Sequence, residues 1–225
     1  MNTDQFGLAG DDYVPDPDRD SAAIVDGFFD HITAALRNHD LPDGLSTAMR
    51  TRLAELEAAN AHHIVDAPAE YNLRMTLALV VAYRELRPRL GREAAIAILR
   101  AAFVEPVGEF VADSTRAMLD VAPDPFAAMV AVSKTREEQT FGAGFTFVRP
   151  VDDERSYHVD VVRCFYHDVL VDHSAAELTS VMCEFDANWI GAIQPRRDGF
   201  RFDRATTIGF GGTHCPFHFD RVDTE

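Results

Sequence analysis

The sequence predicts an α+β fold, with a helical half over residues 21–140 and an α+β half over 141–225 that holds a small antiparallel sheet and one long helix. Three observations carry this. Apolar residues recur at helical spacing through the first 140 positions, and strand-like segments appear only after Gly142. Thr213 to Phe219 reads as a strand returning across the turn Gly209-Phe210-Gly211-Gly212, so its pairing is antiparallel. The 225 residues are 47% hydrophobic and 26% charged, enough to build a core in one compact unit.

Residues 1–20 hold six aspartates with few large apolar groups and read as an acidic flexible tail. A helix begins near Ser21, a candidate N-cap, and carries Ile24, Phe28, Ile32 and Leu36 on one face. Pro42 and Gly44 stop it, and a second helix runs from about Ser46 to Asn60. Leu73, Leu77, Val80 and Val81 form the stripe of a third helix ending before Pro88 and Gly91. Ile96, Leu99, Phe103, Val107, Phe110 and Met118 form that of a fourth, which Pro106 should kink. Residues 124–139 add a short fifth helix.

In the second half, Phe145 to Val148 and Tyr157 to Arg163 read as strands. Ala175 to Ile193 is the long helix, with Leu178, Met182, Phe185, Trp189 and Ile193 on one side. Ser174 and Glu177 have the spacing of a capping box at its start. Phe200 to Ile208 and Thr213 to Phe219 are the final strands. Arg204 shares a strand face with Phe200 and Phe202, so it should be a partly buried cation in need of a partner.

Charge excludes two function classes. Twenty-one basic against 37 acidic residues give a formal net charge of −16, the wrong sign for nucleic acid or an anionic membrane surface. No segment approaches the roughly 18 apolar residues of a membrane span, and Met1 to Asp20 lacks a secretory pattern. Three cysteines, Cys164, Cys183 and Cys215, do not make a disulfide framework, so a cytoplasmic, thiol-reduced setting is expected. The expected partner is a small-molecule substrate; the oligomeric state is left open.

All three thiols fall in the last third of the chain, which makes that region the candidate site. Cys183 and Asp186 are three apart on the long helix and so neighbours on one flank of its apolar stripe. Read as chemistry, Asp186 holds a water, orients an amino group or binds a metal. Read as structure, it is a half-buried aspartate with an arginine partner, and Cys183 a small hydrophobe. Cys215 shares a strand face with Phe217 and Phe219 and follows the glycine turn, where N–H groups near Gly212 can meet a ligand or an oxyanion. Pro216 implies an edge position or an interrupted ladder. Cys164 ends the strand 157–163. The three thiols with His167, His214, His218 or Asp186 can also be read as a zinc set, or as ligands of an iron–sulfur cluster. No two cysteines have the close spacing of a structural zinc site. Otherwise no cofactor is implied: dinucleotide, P-loop, G-x-S-x-G and H-E-x-x-H patterns do not occur.

The residues Val162-Arg163-Cys164-Phe165-Tyr166, Glu177-Leu178, Cys183-Glu184-Phe185-Asp186, Phe202-Asp203-Arg204, Thr207-Ile208-Gly209 and Gly212-Thr213-His214-Cys215-Pro216-Phe217-His218-Phe219, in that order, resemble the L-2-amino-thiazoline-4-carboxylic acid hydrolase family. Leu77 to Phe103 is similar to that family's helical half, so the resemblance spans about 70–225. Pro216 is a departure, standing where the family pattern has an acidic residue. The resemblance implies hydrolysis at a carbon–nitrogen bond of a small cyclic amidine, as in opening a 2-aminothiazoline ring to an N-carbamoyl amino acid. Under it, Cys215 or Cys183 is the nucleophile, with Cys215 ranked first as the more reactive thiol. Asp186 is acid, base or orienter, Arg204 clamps a substrate carboxylate, and Cys164 and Gly212 line the substrate site. The alternatives are a non-catalytic module sensing a small ligand or metal through the same pocket, and a partner-binding protein whose helical half is the interface.

Overall fold

A computed structural model describes residues 17–42 and 44–222. The acidic tail expected over 1–20 therefore lies outside the described residues as far as residue 16. Helix α1 spans Pro17–Asn38, so Ser21 is a buried residue inside it and not its cap. Helices α2 (Gly44–Ala59), α3 (Ala67–Leu90), α4 (Arg92–Val121) and α5 (Pro125–Arg136) complete the first half.

Local chemistry sets the starts of two of these helices. The Asp66 carboxylate accepts from Ala69 N–H at 2.9 Å and caps α3; Asp124 does the same for α5 through Ala127 N–H at 3.1 Å. In each, a proline stands in the first two helical positions, where no intrahelical donor is needed. Contrary to expectation, α3 continues through Pro88 to Leu90. A proline this close to a helix end removes a single donor, and Gly91 N–H still reaches Arg87 O at 2.9 Å. Helix α4 likewise runs through Pro106.

The second half is a four-stranded antiparallel sheet in the order β1-β2-β4-β3. The strands are β1 (Thr146–Asp152), β2 (Ser156–Arg163), β3 (Phe200–Asp203) and β4 (Cys215–Arg221). Between β2 and β3 lie α6 (Phe165–Asp172), α7 (Thr179–Glu184), α8 (Ala187–Ile190) and α9 (Pro195–Asp198). Val161 stands opposite Cys215, and Tyr157 opposite Phe219. Pro216 thus sits on an interior strand. The β3 pairing ends at Asp203 opposite His218, so β4 has β2 alone beside it at the proline.

The expected single helix over 175–193 is broken into a 3-10 turn at Ala176–Leu178, then α7 and α8. At the break, the Cys183 carbonyl accepts from Arg204 Nη2 at 3.1 Å, which draws it off the helix axis. The expected capping box is absent as well. Ser174 adopts a left-handed backbone (φ 55°), and the Glu177 carboxylate instead accepts from the Tyr83 hydroxyl of α3 at 2.6 Å. The strand expected over 200–208 stops at Asp203, and a 3-10 turn occupies Ile208–Phe210.

One core draws from both halves. Phe28, Phe29, Ile32, Leu73, Leu77, Leu99 and Phe103 pack with Phe145, Phe165, Val169, Leu178 and Val181. A second cluster joins Leu119, Phe126 and Met129 to the inner sheet face through Tyr157, Val159, Phe200 and Phe219, with Trp189 of α8. The joint between the halves depends on Gly142 (φ 67°). A Cβ there would lie 2.3 Å from Asp66 Oδ2, the carboxylate that caps α3 and also accepts from Ala143 N–H at 2.6 Å.

Candidate active site

Three segments meet at the sulfurs. Helix α7 brings Cys183, the start of β4 brings Cys215, and the Ile208–Phe210 turn packs between them. Cys215 Sγ accepts from the backbone N–H of Ile208 at 3.1 Å, and Gly209 of the same turn packs on Thr179 and Ser180 of α7, one helical turn before Cys183. The Thr207 hydroxyl is buried and has no hydrogen-bond partner. Cys183 lies among three donor groups that favour its thiolate, the Cys215 thiol, the Thr207 hydroxyl and the Gly209 N–H.

Those donors decide its protonation. The Cys215 thiol, then the Thr207 hydroxyl and the Gly209 N–H, hold Cys183 down at about 6 against the opposing effects of burial and of Asp186. Cys215 moves the other way, because its proton is shared with the Cys183 sulfur and because it is buried. Burial pushes Cys164 up to about 12. Cys164 sits where β2 gives way to α6, close enough to both other thiols to feel their charge. Among the three, Cys183 alone is partly exposed.

Asp186 lies one turn beyond Cys183, and both its oxygens are held. Oδ1 accepts from Trp189 Nε1 at 3.0 Å, and Oδ2 from Arg204 Nη1 at 2.5 Å. Burial raises its pKa, and Arg204 and Trp189 restrain that rise. Trp189 is itself fixed by edge-on contact with Phe202 at 4.9 Å. Arg204 stacks over Phe217 at 5.4 Å, and both its terminal nitrogens are engaged within the chain. Arg204 therefore holds Asp186 and the Cys183 carbonyl, so the partly buried cation expected from its strand face has a partner within the chain.

The structure brings Cys164, Cys183, Cys215, Asp186 and Arg204 to one place. It does not give Gly212 the expected role. Gly212 N–H donates to Thr207 O at 2.9 Å, and Gly211 N–H to Ile208 O at 3.1 Å, so neither is free for an oxyanion. The N–H group that reaches sulfur belongs to Ile208, one turn earlier. Two residues enter the sequence reading only through the family resemblance, with no role assigned. Thr207 is one. Tyr166 is visible there only as an aromatic beside Cys164; its hydroxyl donates to Asn72 Oδ1 at 2.8 Å, and its ring lies near both Cys164 and Asp186. Among the described residues, no group of three or more His, Cys, Asp or Glu side chains is arranged to hold a metal ion.

Gly209 is where the site is most sensitive to added bulk. A Cβ at this position would sit 2.7 Å from both Ser180 N and Thr179 C, main-chain atoms of α7 that have no room to yield. Gly209→Ala is expected to lever the turn off α7 and pull the Gly209 N–H from Cys183. The alkylation pKa of Cys183 should rise, and stability should fall by about 1–3 kcal/mol, the usual cost of overpacking. Iodoacetamide kinetics against pH, with a thermal melt, check both; an unchanged alkylation profile would remove Gly209 from the site.

A family model described as L-2-amino-thiazoline-4-carboxylic acid hydrolase matches residues 71–219. The matched segment contains all three thiols, Asp186, Thr207 and Arg204. No curated protein and no solved structure matches the chain. No helix among the described residues is long and apolar enough to cross a membrane.

Proposed function

The chain belongs to the L-2-amino-thiazoline-4-carboxylic acid hydrolase family, and on that premise we propose that it hydrolyses a small cyclic amidine of the 2-aminothiazoline class, with Cys183 as nucleophile. The observation that carries this reading is the place of Cys183, alone of the three thiols partly exposed, at one site with Cys215 and the Asp186–Arg204 pair inside the matched segment, where its neighbours hold its pKa down at about 6. Such a sulfur is substantially thiolate at neutral pH, and the thiolate is the attacking form.

Atom balance fixes which bond opens. An N-carbamoyl product keeps both nitrogens on the amidine carbon, so the bond that breaks is the ring carbon–sulfur bond, not a carbon–nitrogen bond. The Cys183 thiolate adds to the amidine carbon. The ring sulfur then departs as a thiol, taking a proton, and leaves an isothiouronium on Cys183. Water adds to the same carbon, Cys183 leaves as thiolate, and the urea of the N-carbamoyl amino acid remains. Asp186 suits the orienting role. Trp189 and Arg204 each occupy one of its oxygens, and the remaining lone pairs accept from an amidinium N–H. The buried Cys215 thiol donates to the Cys183 sulfur each time it re-forms as the leaving group.

The test is direct incubation with L-2-amino-thiazoline-4-carboxylate, reading the new free thiol and the carbamoyl product by mass. The rate should rise with pH and level off above about 6, following the loss of the Cys183 proton. A protein that releases no thiol from this compound or from other 2-aminothiazolines would overturn the assignment.

A further inference from the structure

We propose that Cys183 is a modification site for hydroperoxides, and that Cys215 resolves the resulting sulfenic acid into a Cys183–Cys215 disulfide. The inference rests on the same reading of Cys183 as the reactive sulfur, and it adds a second chemistry at that atom.

Geometry carries it. Oxidation needs a sulfur that a peroxide can reach, and among the three thiols only Cys183 is partly exposed, with Cys164 at 9% and Cys215 at 6%. Resolution needs a second thiol already aligned. Cys183 and Cys215 flank one turn: Ile208 N–H donates to Cys215 Sγ at 3.1 Å, and Gly209 packs on Thr179 and Ser180 of α7, one helical turn before Cys183, so the two thiols are neighbours before any oxidant arrives. The arrangement is rigid on both sides, because the turn is wedged against the α7 backbone through Gly209. A reachable thiolate beside a shielded partner thiol is the arrangement in which oxidation stops reversibly at the disulfide.

The step balances. The Cys183 thiolate attacks the distal oxygen of the hydroperoxide, the O–O bond breaks, and the alkoxide leaves and is protonated to the alcohol. Cys215 gives up its proton, its sulfur attacks the sulfenic sulfur, the S–O bond breaks, and hydroxide leaves with that proton as water. Two thiols are oxidised by two electrons and one hydroperoxide is reduced. The disulfide removes the thiolate that ring opening requires, so hydrolysis would be switched off by peroxide and restored by a dithiol.

The test treats the intact protein with hydrogen peroxide in small excess and maps peptides without reduction. The expected product is a Cys183–Cys215 linkage, lighter by two hydrogens and reversed by dithiothreitol, with Cys164 still alkylatable. Dimedone added during oxidation should label Cys183 at least about tenfold faster than either other cysteine. In Cys215→Ser the dimedone adduct on Cys183 should accumulate, because the resolving thiol is gone. First labelling at Cys164 or Cys215, a disulfide to Cys164, or Cys183 passing to sulfinic acid with Cys215 intact would each overturn the proposal. Mapping of the wild-type chain needs no variant to fold and no substrate to be turned over. Ring opening without a disulfide defeats the oxidation proposal alone, and a disulfide without ring opening defeats the hydrolase reading alone.

Discussion

Cys183→Ser is expected to lower kcat/KM for 2-aminothiazoline opening by roughly 10⁴-fold, the scale on which loss of a covalent nucleophile is felt. The fold should survive, because sulfur and oxygen differ little in size and Cys183 sits at the partly exposed rim of the core. Cys215→Ser is the necessary contrast. Its hydroxyl still donates to Cys183, so the loss should be no more than about 100-fold, accompanied by a shift in the pH profile of Cys183. Steady-state kinetics on both variants, with far-ultraviolet circular dichroism to confirm folding, decide the assignment. An inactive Cys215→Ser beside an active Cys183→Ser would reverse the roles and restore the ranking that the strand position of Cys215 suggests.

Arg204→Ala is expected to have the largest effect on stability. The Arg204 side chain is 14% exposed, and it answers a carboxylate that is itself 24% exposed. Removing one partner of such a pair leaves the other charge poorly solvated, at a cost of about 3 kcal/mol. For a chain of this size that lowers Tm by roughly 6–12 °C. The pH dependence follows from Asp186, whose pKa is already raised by burial and rises further without the guanidinium. A carboxyl with a raised folded-state pKa destabilises only as pH climbs above its unfolded value and the charged form must be accommodated. The deficit of the variant should therefore be full near pH 8 and shrink toward pH 5. Arg204→Lys keeps the charge but loses the fork that spans Asp186 Oδ2 and the Cys183 carbonyl, so an intermediate Tm is expected. Differential scanning calorimetry across pH reads all three; a deficit that grows on acidification would rule out Asp186 as its source.

Much of this arrangement is legible in the residues, and the failures share a cause. Periodicity finds what local spacing controls: the stripe of α3, the run of α4, and the strands bearing Tyr157 and Phe219. It places Cys183 and Asp186 on one flank, and the relation survives the break between α7 and α8 because Phe185 and Asp186 keep right-handed helical backbone. It misses whatever depends on a partner distant in sequence. Glu177 has the spacing of a capping box, yet Tyr83, 94 residues away, takes its carboxylate. The 175–193 stripe is continuous, yet Arg204 draws the Cys183 carbonyl aside and the helix divides. Thr207 stands in the sequence as one residue of the family pattern, and the burial of its unpartnered hydroxyl is set by packing alone. The strand face of Arg204 marks it as a buried cation needing a partner, and tertiary packing alone decides which partner it has.

The strand order has a consequence for how the protein is made. Strand β4 is the last of the four to be synthesised, yet it lies between β2 and β3. Until it inserts, β2 and β3 have no strand between them and the sheet stays incomplete. Cys215 begins that strand, so the sulfur contact forms only with the closing event of folding. A nascent or partly unfolded chain carries three cysteines of ordinary reactivity, and the acidic thiol arrives with the native state. The alkylation rate of Cys183 below pH 8 is therefore a clock for maturation, rising when the final strand locks in place and collapsing as soon as it leaves.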